Sequence, residues 1–390
     1  MFLSREELEE REPIRAMGAS PVSLVILEGT PPGGGSREAL VRKARHAAIY
    51  DNFAKFMRCS AVGPMILATN DGGLARSMEG LPVTVHPFEV RGEFHFGRLL
   101  TEIIEAHGME KIFYLGGGAG LFLEDGEILT ICHALSEGAP MFCTNNFFSS
   151  DFVAFFPAQI VQSIRMPRMD NLLAYLLSEE GRLPCRPLPQ TLGTLFDIDT
   201  PVDVAMLSLY PFSGERVGQA AGSELPVKGT IEKILSLLEN KEAELIVAGR
   251  INPRTIMELE ASAKCRIRFF SEERGMKARG RIERGEVRSL LGSFIEDGGA
   301  ERFFSAISSV ADGAILDSRV LFAHGGRKVA KEDRYLSDLG EYGAIRDDFV
   351  REFTFQAGNA SMPILLGGHS LITGGLWILA KILREKGKVR

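Results

Sequence analysis

Short apolar runs alternate with amphipathic stretches along almost the whole chain, and most runs stop at glycine, asparagine or aspartate. Residues 22–27, 64–69, 83–87, 111–115 and 141–144 read as strands in the first half, and 244–248, 265–270, 313–316 and 363–366 in the second. Between them the 3.6-residue period predicts helices near 37–57, 94–107, 125–135, 171–180, 201–209, 231–238, 253–263 and at the C-terminal end. In the 94–107 helix the buried stripe is Phe94, Leu99, Leu100, Ile103 and Ile104. Strands alternating with helices predict an α/β fold with largely parallel sheets, whose ligand sites lie at the strands' C-terminal edges. The stretch 213–229 is rich in Gly, Ser and Pro and reads as a linker between a first domain (1–212) and a second α/β domain with a short, mostly parallel sheet (230–390). Residues 1–20 read as an exposed lead-in.

The segment Phe196-Asp197-Ile198-Asp199-Thr200-Pro201 organises the first half. In extended backbone Asp197 and Asp199 point to one side. Thr200 is suited to cap a helix and Pro201 to open it. Two carboxylates on one edge beside a helix N-terminus could hold a divalent cation, or could simply be solvated acids at a capping turn. A second cluster follows the 22–27 strand, where Gly29, Gly34, Gly35, Ser36, Arg37 and Lys43 lie in or after a glycine-rich turn that opens a helix. That arrangement presents backbone N–H groups to phosphate, with a hydroxyl and two cations added. No G-x-x-x-x-G-K-[ST] pattern occurs, which disfavours a P-loop ATPase.

The string FDIDTPVDV resembles the D-I-D-T-P-x-D-L segment of small nucleotidyltransferases with the glycosyltransferase-A-like fold, such as molybdenum-cofactor and phospholactate guanylyltransferases. The resemblance spans about residues 20–210, is specific at this motif, and looser at L-E-G, G-G-S-R and Lys43, where Thr30–Gly33 resembles an insertion. It implies a Rossmann-like nucleotidyltransferase domain in which Arg37 and Lys43 grip a triphosphate and Asp197 and Asp199 hold Mg²⁺ (or Mn²⁺). The chain departs from the family at YLGGGAG: where relatives carry a metal-holding aspartate it has Gly116, Gly117 and Gly118. Asp71 and Asp151 are candidates to make up the missing acid. Asn145 and Asn146 end another predicted strand on the same edge and join the candidate ligand site.

In the second half the strand ends bring forward Arg250, Arg274, Asp317, Arg319 and the loop Gly367-Gly368-His369-Ser370. Arginines, glycines, a hydroxyl and an imidazole there suit a phosphate or carboxylate. The runs 266–288 (eight basic, four acidic residues) and 331–351 read as solvated mixed-charge surface, the second also as a lid.

Bulk properties narrow the function further. At 390 residues, 45% hydrophobic and 25% charged, the chain has room for two ordinary globular domains. Its net charge of −6 divides into −9 over 1–212 and +3 over the rest, so the first half is no nucleic-acid-wrapping surface. No apolar run reaches the roughly 20 residues that span a bilayer. The polar, acidic start does not read as a secretory leader, so a cytoplasmic location is expected. Five scattered cysteines suggest neither a zinc site nor a disulfide framework. The expected partners are a nucleoside triphosphate or nucleotide-sugar and a small anionic acceptor, without nucleic acid or membrane; homo-oligomerisation is left open. Nucleotidyl transfer leads, and glycosyl transfer from a nucleotide-sugar or non-catalytic anion binding are the alternatives.

Overall fold

The computed structural model of the protein describes residues 20–30, 34–90, 92–210, 214–221 and 225–388. The lead-in 1–19, Pro31–Gly33 of the apparent insertion, and residues 211–213 and 222–224 of the expected linker lie outside the described residues. The described strands form two sheets. The first has six strands in the order β3-β2-β1-β4-β6-β5, formed by β1 (Val22–Glu28), β2 (Val62–Thr69), β3 (Thr84–Pro87), β4 (Ile112–Gly116), β5 (Met141–Thr144) and β6 (Phe152–Phe156). Strands β1, β2, β3 and β4 are mutually parallel, and β6 runs antiparallel to both β4 and β5. The second sheet is fully parallel, β10-β9-β7-β8, from β7 (Glu244–Gly249), β8 (Arg266–Ser271), β9 (Gly313–Asp317) and β10 (Ile364–Gly367).

Period-two alternation explains the layering. Val22, Leu24 and Ile26 of β1 pack with Ile49, Phe53 and Phe56 of the Ser36–Phe56 helix, while Val25 and Leu27 pack with Leu99, Leu100 and Ile103 of the Phe96–His107 helix. Both faces of β1 are thus covered, and all its residues are buried, as a central parallel strand requires. In β7 the same rule sends Leu245 and Val247 to one core and Ile246 and Ala248 to another.

The two halves share one of these cores. Val41 and Ala44 of the first long helix, Phe196, Ile198, Val202 and Ala205, and Leu365, Leu371 and Trp377 of the second half belong to a single buried cluster. Between the halves, the Glu215–Ala221 helix falls within the segment expected to be a linker. It docks on the Ser36–Phe56 helix with Val217 buried and its first-turn N–H donated to Asp51. Among the described residues no helix is long and apolar enough to cross a membrane.

Candidate functional site

Parallel register sets the ends of β1, β2 and β4 level, with Leu27 opposite Gly116 and Glu28 opposite Thr69. The antiparallel β6 then starts where β4 stops, Leu115 facing Phe152, so Asp151 arrives beside Gly116, whose N–H it accepts at 2.9 Å. Asn145 clamps Asp151: its Nδ2 donates to the carboxylate at 2.9 Å and its Oδ1 accepts the N–H of Asp151 and of Phe152. The organising segment runs past the same edge, Asp197 bridging Ala119 and Ile198 N–H donating to Gly118.

The reciprocal cap foreseen at Thr200 is present, with Pro201 opening the Pro201–Leu209 helix. Asp203 Oδ2 accepts from the N–H of Asp199 and Thr200 and from the Thr200 hydroxyl, while its buried Oδ1 has no partner. Burial, then the charge of Asp199, pushes the Asp203 carboxyl up to about 7. The folded state therefore keeps a proton that the unfolded chain loses near pH 4. Its contribution to stability falls as pH rises from about 4 to about 7 and stays low above that. Asp203→Asn should remove this slope, giving a gain at pH 8 relative to pH 5 on the order of 2–4 kcal/mol in urea unfolding. An unchanged pH profile would refute the assignment.

The second sheet's strand ends face this edge across a cavity of about 550 Å³. Its lining carries four carboxylates (Asp151, Asp170, Asp197, Asp199) and eight cations, among them Arg45, Arg250, Lys277, Arg319, Lys331 and Arg334. Three cations are neutralised from behind. Arg250 forms a bidentate pair with Asp317 (2.7 and 3.1 Å), Arg319 pairs with Asp338, and Arg45 Nε meets Glu28 at 2.9 Å. The carboxylates differ in state. Burial, then Asp151, holds the Asp197 carboxyl well above its ordinary range, and burial with Asp170 pushes Asp151 up to about 7. Burial also opposes ionisation of Asp199, but Lys277, Arg45, Lys331 and Arg319 outweigh it and pull the group down to about 2. His369 lines the cavity within reach of the charges of Arg250 and Asp317; burial and Arg250 lower it to about 3, so it is a neutral imidazole.

The glycines of YLGGGAG make room for carboxylates. A Cβ on Gly117 would stand 2.2 Å from Glu28 Oε2, and one on Gly118 would stand 2.6 Å from Asp197 Oδ1. Glu28 and its partner Arg45 were not singled out from the sequence. Yet Arg45 has Val41, Ala48 and Ile49, all buried, as its helical neighbours, a pattern that aims it inward.

Not every sequence candidate reaches the cavity. Gly116, Asn145, Asn146, Asp197, Asp199, Arg250, Arg319, His369 and Ser370 line it, with Asp317 directly behind and Gly367 and Gly368 in the adjoining turn. Arg274 lines a side chamber of about 230 Å³ that shares Arg250, Lys277, His369, Asn145 and Asn146 with the main one. Asp71 caps the Gly72–Ser77 helix, and Gly29 lies near Asn70 and Phe88. Lys43 is exposed on the outer side of its helix.

The glycine-rich turn itself holds a carboxylate of this chain. Glu332 accepts the N–H of Arg37 at 3.3 Å and of Glu38 at 3.4 Å, and a Cβ on Gly35 would collide with it. Arg37 pairs with Glu341. Gly34, Gly35, Ser36 and Arg37 thus serve as a docking point for the second half. Tyr335 donates to the carbonyl of Asp199 and Ser370 to that of Asp197, fixing the organising segment from the opposite side.

Among the described residues no three His, Cys, Asp or Glu side chains form a preassembled metal cage. The pair Asp197 and Asp199 with Asp151 suits Mg²⁺ in another way, since that ion is held by one or two carboxylates plus water and phosphate oxygens. Asp197 and Asp151, raised first by burial and then by neighbouring carboxylates, would be relieved by a cation.

No family model matches the chain, and no curated protein matches it. Solved structures resemble about half of the chain at low identity. CMP:2-keto-3-deoxy-manno-octonic acid synthetase complexed with CTP is 14% identical over 47% of this chain and 95% of its own, with a TM-score of 0.36. A cytidylyltransferase from Leptospira borgpetersenii is 14% identical over 54% and 95%, with a TM-score of 0.37. The 4-diphosphocytidyl-2C-methyl-D-erythritol synthase is 11% identical over 49% and 99%, with a TM-score of 0.34, a likeness too slight to carry an activity across.

Proposed function

We propose that this chain is a transferase of the nucleotidyl type, using a nucleoside triphosphate and a small phosphorylated or carboxylate acceptor. One observation carries the reading: a wall of carboxylates at one sheet edge faces a wall of cations at another across a cavity of about 550 Å³. A phosphorylated ligand with a bound divalent cation matches both walls, the cation against Asp197 and Asp199 and the phosphate oxygens against Arg319, Lys331 and Lys277. Mg²⁺ would supply charge neutralisation at the phosphates. The donor would occupy the main chamber and the acceptor the side chamber, two cavities that share Lys277, Arg250 and His369. An acceptor oxygen would bond to the α-phosphorus as the bond to pyrophosphate breaks. The residues' part is positioning and electrostatic compensation. Neutral His369 can donate its ring N–H to an oxygen of the acceptor without adding charge.

A second reading, metal-free anion binding, draws on Arg45, whose guanidinium is an internal cation held above its ordinary value by Glu28, Asp197 and Asp199 in spite of burial. One panel separates the two: melting of the protein with GTP, CTP, ATP, UTP and nucleotide-sugars, with and without Mg²⁺. A ligand specific for the folded state at 100 times its Kd stabilises by about 2.7 kcal/mol. The transferase reading expects one nucleotide to do this only with Mg²⁺. Stabilisation indifferent to Mg²⁺ would favour the binder, and none with any nucleotide would sink both nucleotide readings.

A further inference from the structure

The helix Lys331–Asp338 stands between the two halves, and its charges are sorted by direction. Its three acids are all engaged away from the cavity interior. Glu332 caps the first long helix, Asp333 accepts the N–H of Arg346 and Asp347, and Asp338 is taken by Arg319. Lys331 and Arg334, one turn apart, line the cavity, with the exposed Lys331 also 3.9 Å from Glu38. Arg334 makes no ion pair among the described residues, and its Nε is buried with no hydrogen-bond partner. Lys277 reaches the same cavity from the 272–288 segment.

A half-buried guanidinium whose buried Nε has an idle donor is suited to take an anion. Among the described residues no carboxylate pairs with it: Asp338 is taken by Arg319, and Asp199, whose charge reaches Arg334, is shared with Lys277, Arg45, Lys331 and Arg319. Burial, then repulsion from Arg319, pushes the Arg334 guanidinium below its ordinary value, and the charges of Asp199 and Asp338 offset this only in part. The first half's helix N-terminus, the other place where phosphate would be held, is closed by Glu332.

We propose that Arg334, with Lys331 and Lys277, forms a phosphate subsite on the second half, taking a phosphate or diphosphate group that the glycine-rich turn is not free to hold. The subsite deepens the transferase reading by placing ligand phosphate against the Lys331–Asp338 helix, and it is testable without any nucleotide. The forked guanidinium suits two phosphate oxygens at once, and the two ammonium groups add charge without geometry.

The test is calorimetric titration of inorganic pyrophosphate and of orthophosphate into the full chain in metal-free buffer, using wild type, Arg334→Ala and Arg334→Lys. Pyrophosphate should bind wild type, weaken about tenfold or more in Arg334→Ala, and recover in part in Arg334→Lys, which keeps the charge and loses the fork. Arg334→Ala should melt no lower than wild type, because the cation it removes has no partner; this separates loss of binding from loss of fold. Asp197→Asn should keep pyrophosphate binding, so a failed nucleotide reading and a failed subsite give different patterns. Competition between pyrophosphate and a nucleotide would identify the donor's phosphates as the ligand, and simultaneous binding of orthophosphate and nucleotide would identify a phosphorylated acceptor. Equal affinity of wild type and Arg334→Ala for both anions, or no binding to wild type at millimolar concentration, overturns the subsite.

Discussion

Asp317→Ala is expected to cost the fold on the order of 3–5 kcal/mol, the range for removing one partner of a buried ion pair. Arg250 is 7% exposed and Asp317 fully buried, and the carboxylate accepts two guanidinium bonds as well as the N–H of Arg319, which starts the helix Ser318–Ala323. Alanine would leave the buried Arg250 charge beside Lys277 and Arg319 on the cation wall without its direct partner, and would remove the helix cap. The loss should appear as a lower urea midpoint with little change in slope, because the surface exposed on unfolding is the same. The double replacement Arg250→Met with Asp317→Leu should recover most of it, since two apolar groups of similar volume leave no stranded charge. If Asp317→Ala alone unfolds within about 1 kcal/mol of wild type, the pair is not what holds these strand ends together.

How much of this could be read from residues alone varies with the range of the interaction. The alternating strands and helices were legible because their period is local, and so was the cap at Thr200 and Pro201, three residues from its partner Asp203. Strand β6 was not foreseen. Phe152–Phe156 is a continuous apolar run close behind β5, and nothing local says that it inserts antiparallel between β4 and β5. That insertion is what delivers Asp151 to the site. A strand, glycine turn and helix look the same whether the helix N-terminus receives a phosphate or Glu332, which lies 295 positions away from Arg37. Loop proximity favoured Arg37 and Lys43 as cations. The periodicity of buried Val41, Ala44 and Ala48 would have favoured Arg45. The segments 266–288 and 331–351 read as solvated surface because both signs are mixed along them, and only the tertiary sorting of those charges brings Lys277, Lys331 and Arg334 to the cavity. The facing of the two sheet edges rests on the shared core, which no single segment encodes.

Asp199→Asn and Asp197→Asn should part company before any ligand is added and agree afterwards. Asp199 is ionised well below its ordinary range because cations surround it. A depressed carboxyl contributes stability above the unfolded value near pH 4 and loses it as pH falls toward 2, so at pH 7 the contribution is fully present. Neutralising Asp199 should therefore cost about 1–3 kcal/mol at pH 7 and nothing below pH 2, as Lys277 and Arg45 are left with less to offset their charge. Asp197 is the opposite case. Burial and Asp151 raise its carboxyl well above the ordinary range and so favour the neutral form that asparagine copies, and the melting temperature should hold or rise. With nucleotide and Mg²⁺ both variants should lose the metal-dependent part of binding, by at least about tenfold or 1.4 kcal/mol, since each removes a ligand that the cation would use. The Mg²⁺-free affinity should survive in Asp197→Asn and increase in Asp199→Asn, where one charge repelling phosphate is gone. Retention of the full Mg²⁺-dependent shift in both variants would place the cation elsewhere and leave Arg45 as the charge that this carboxylate wall is built around.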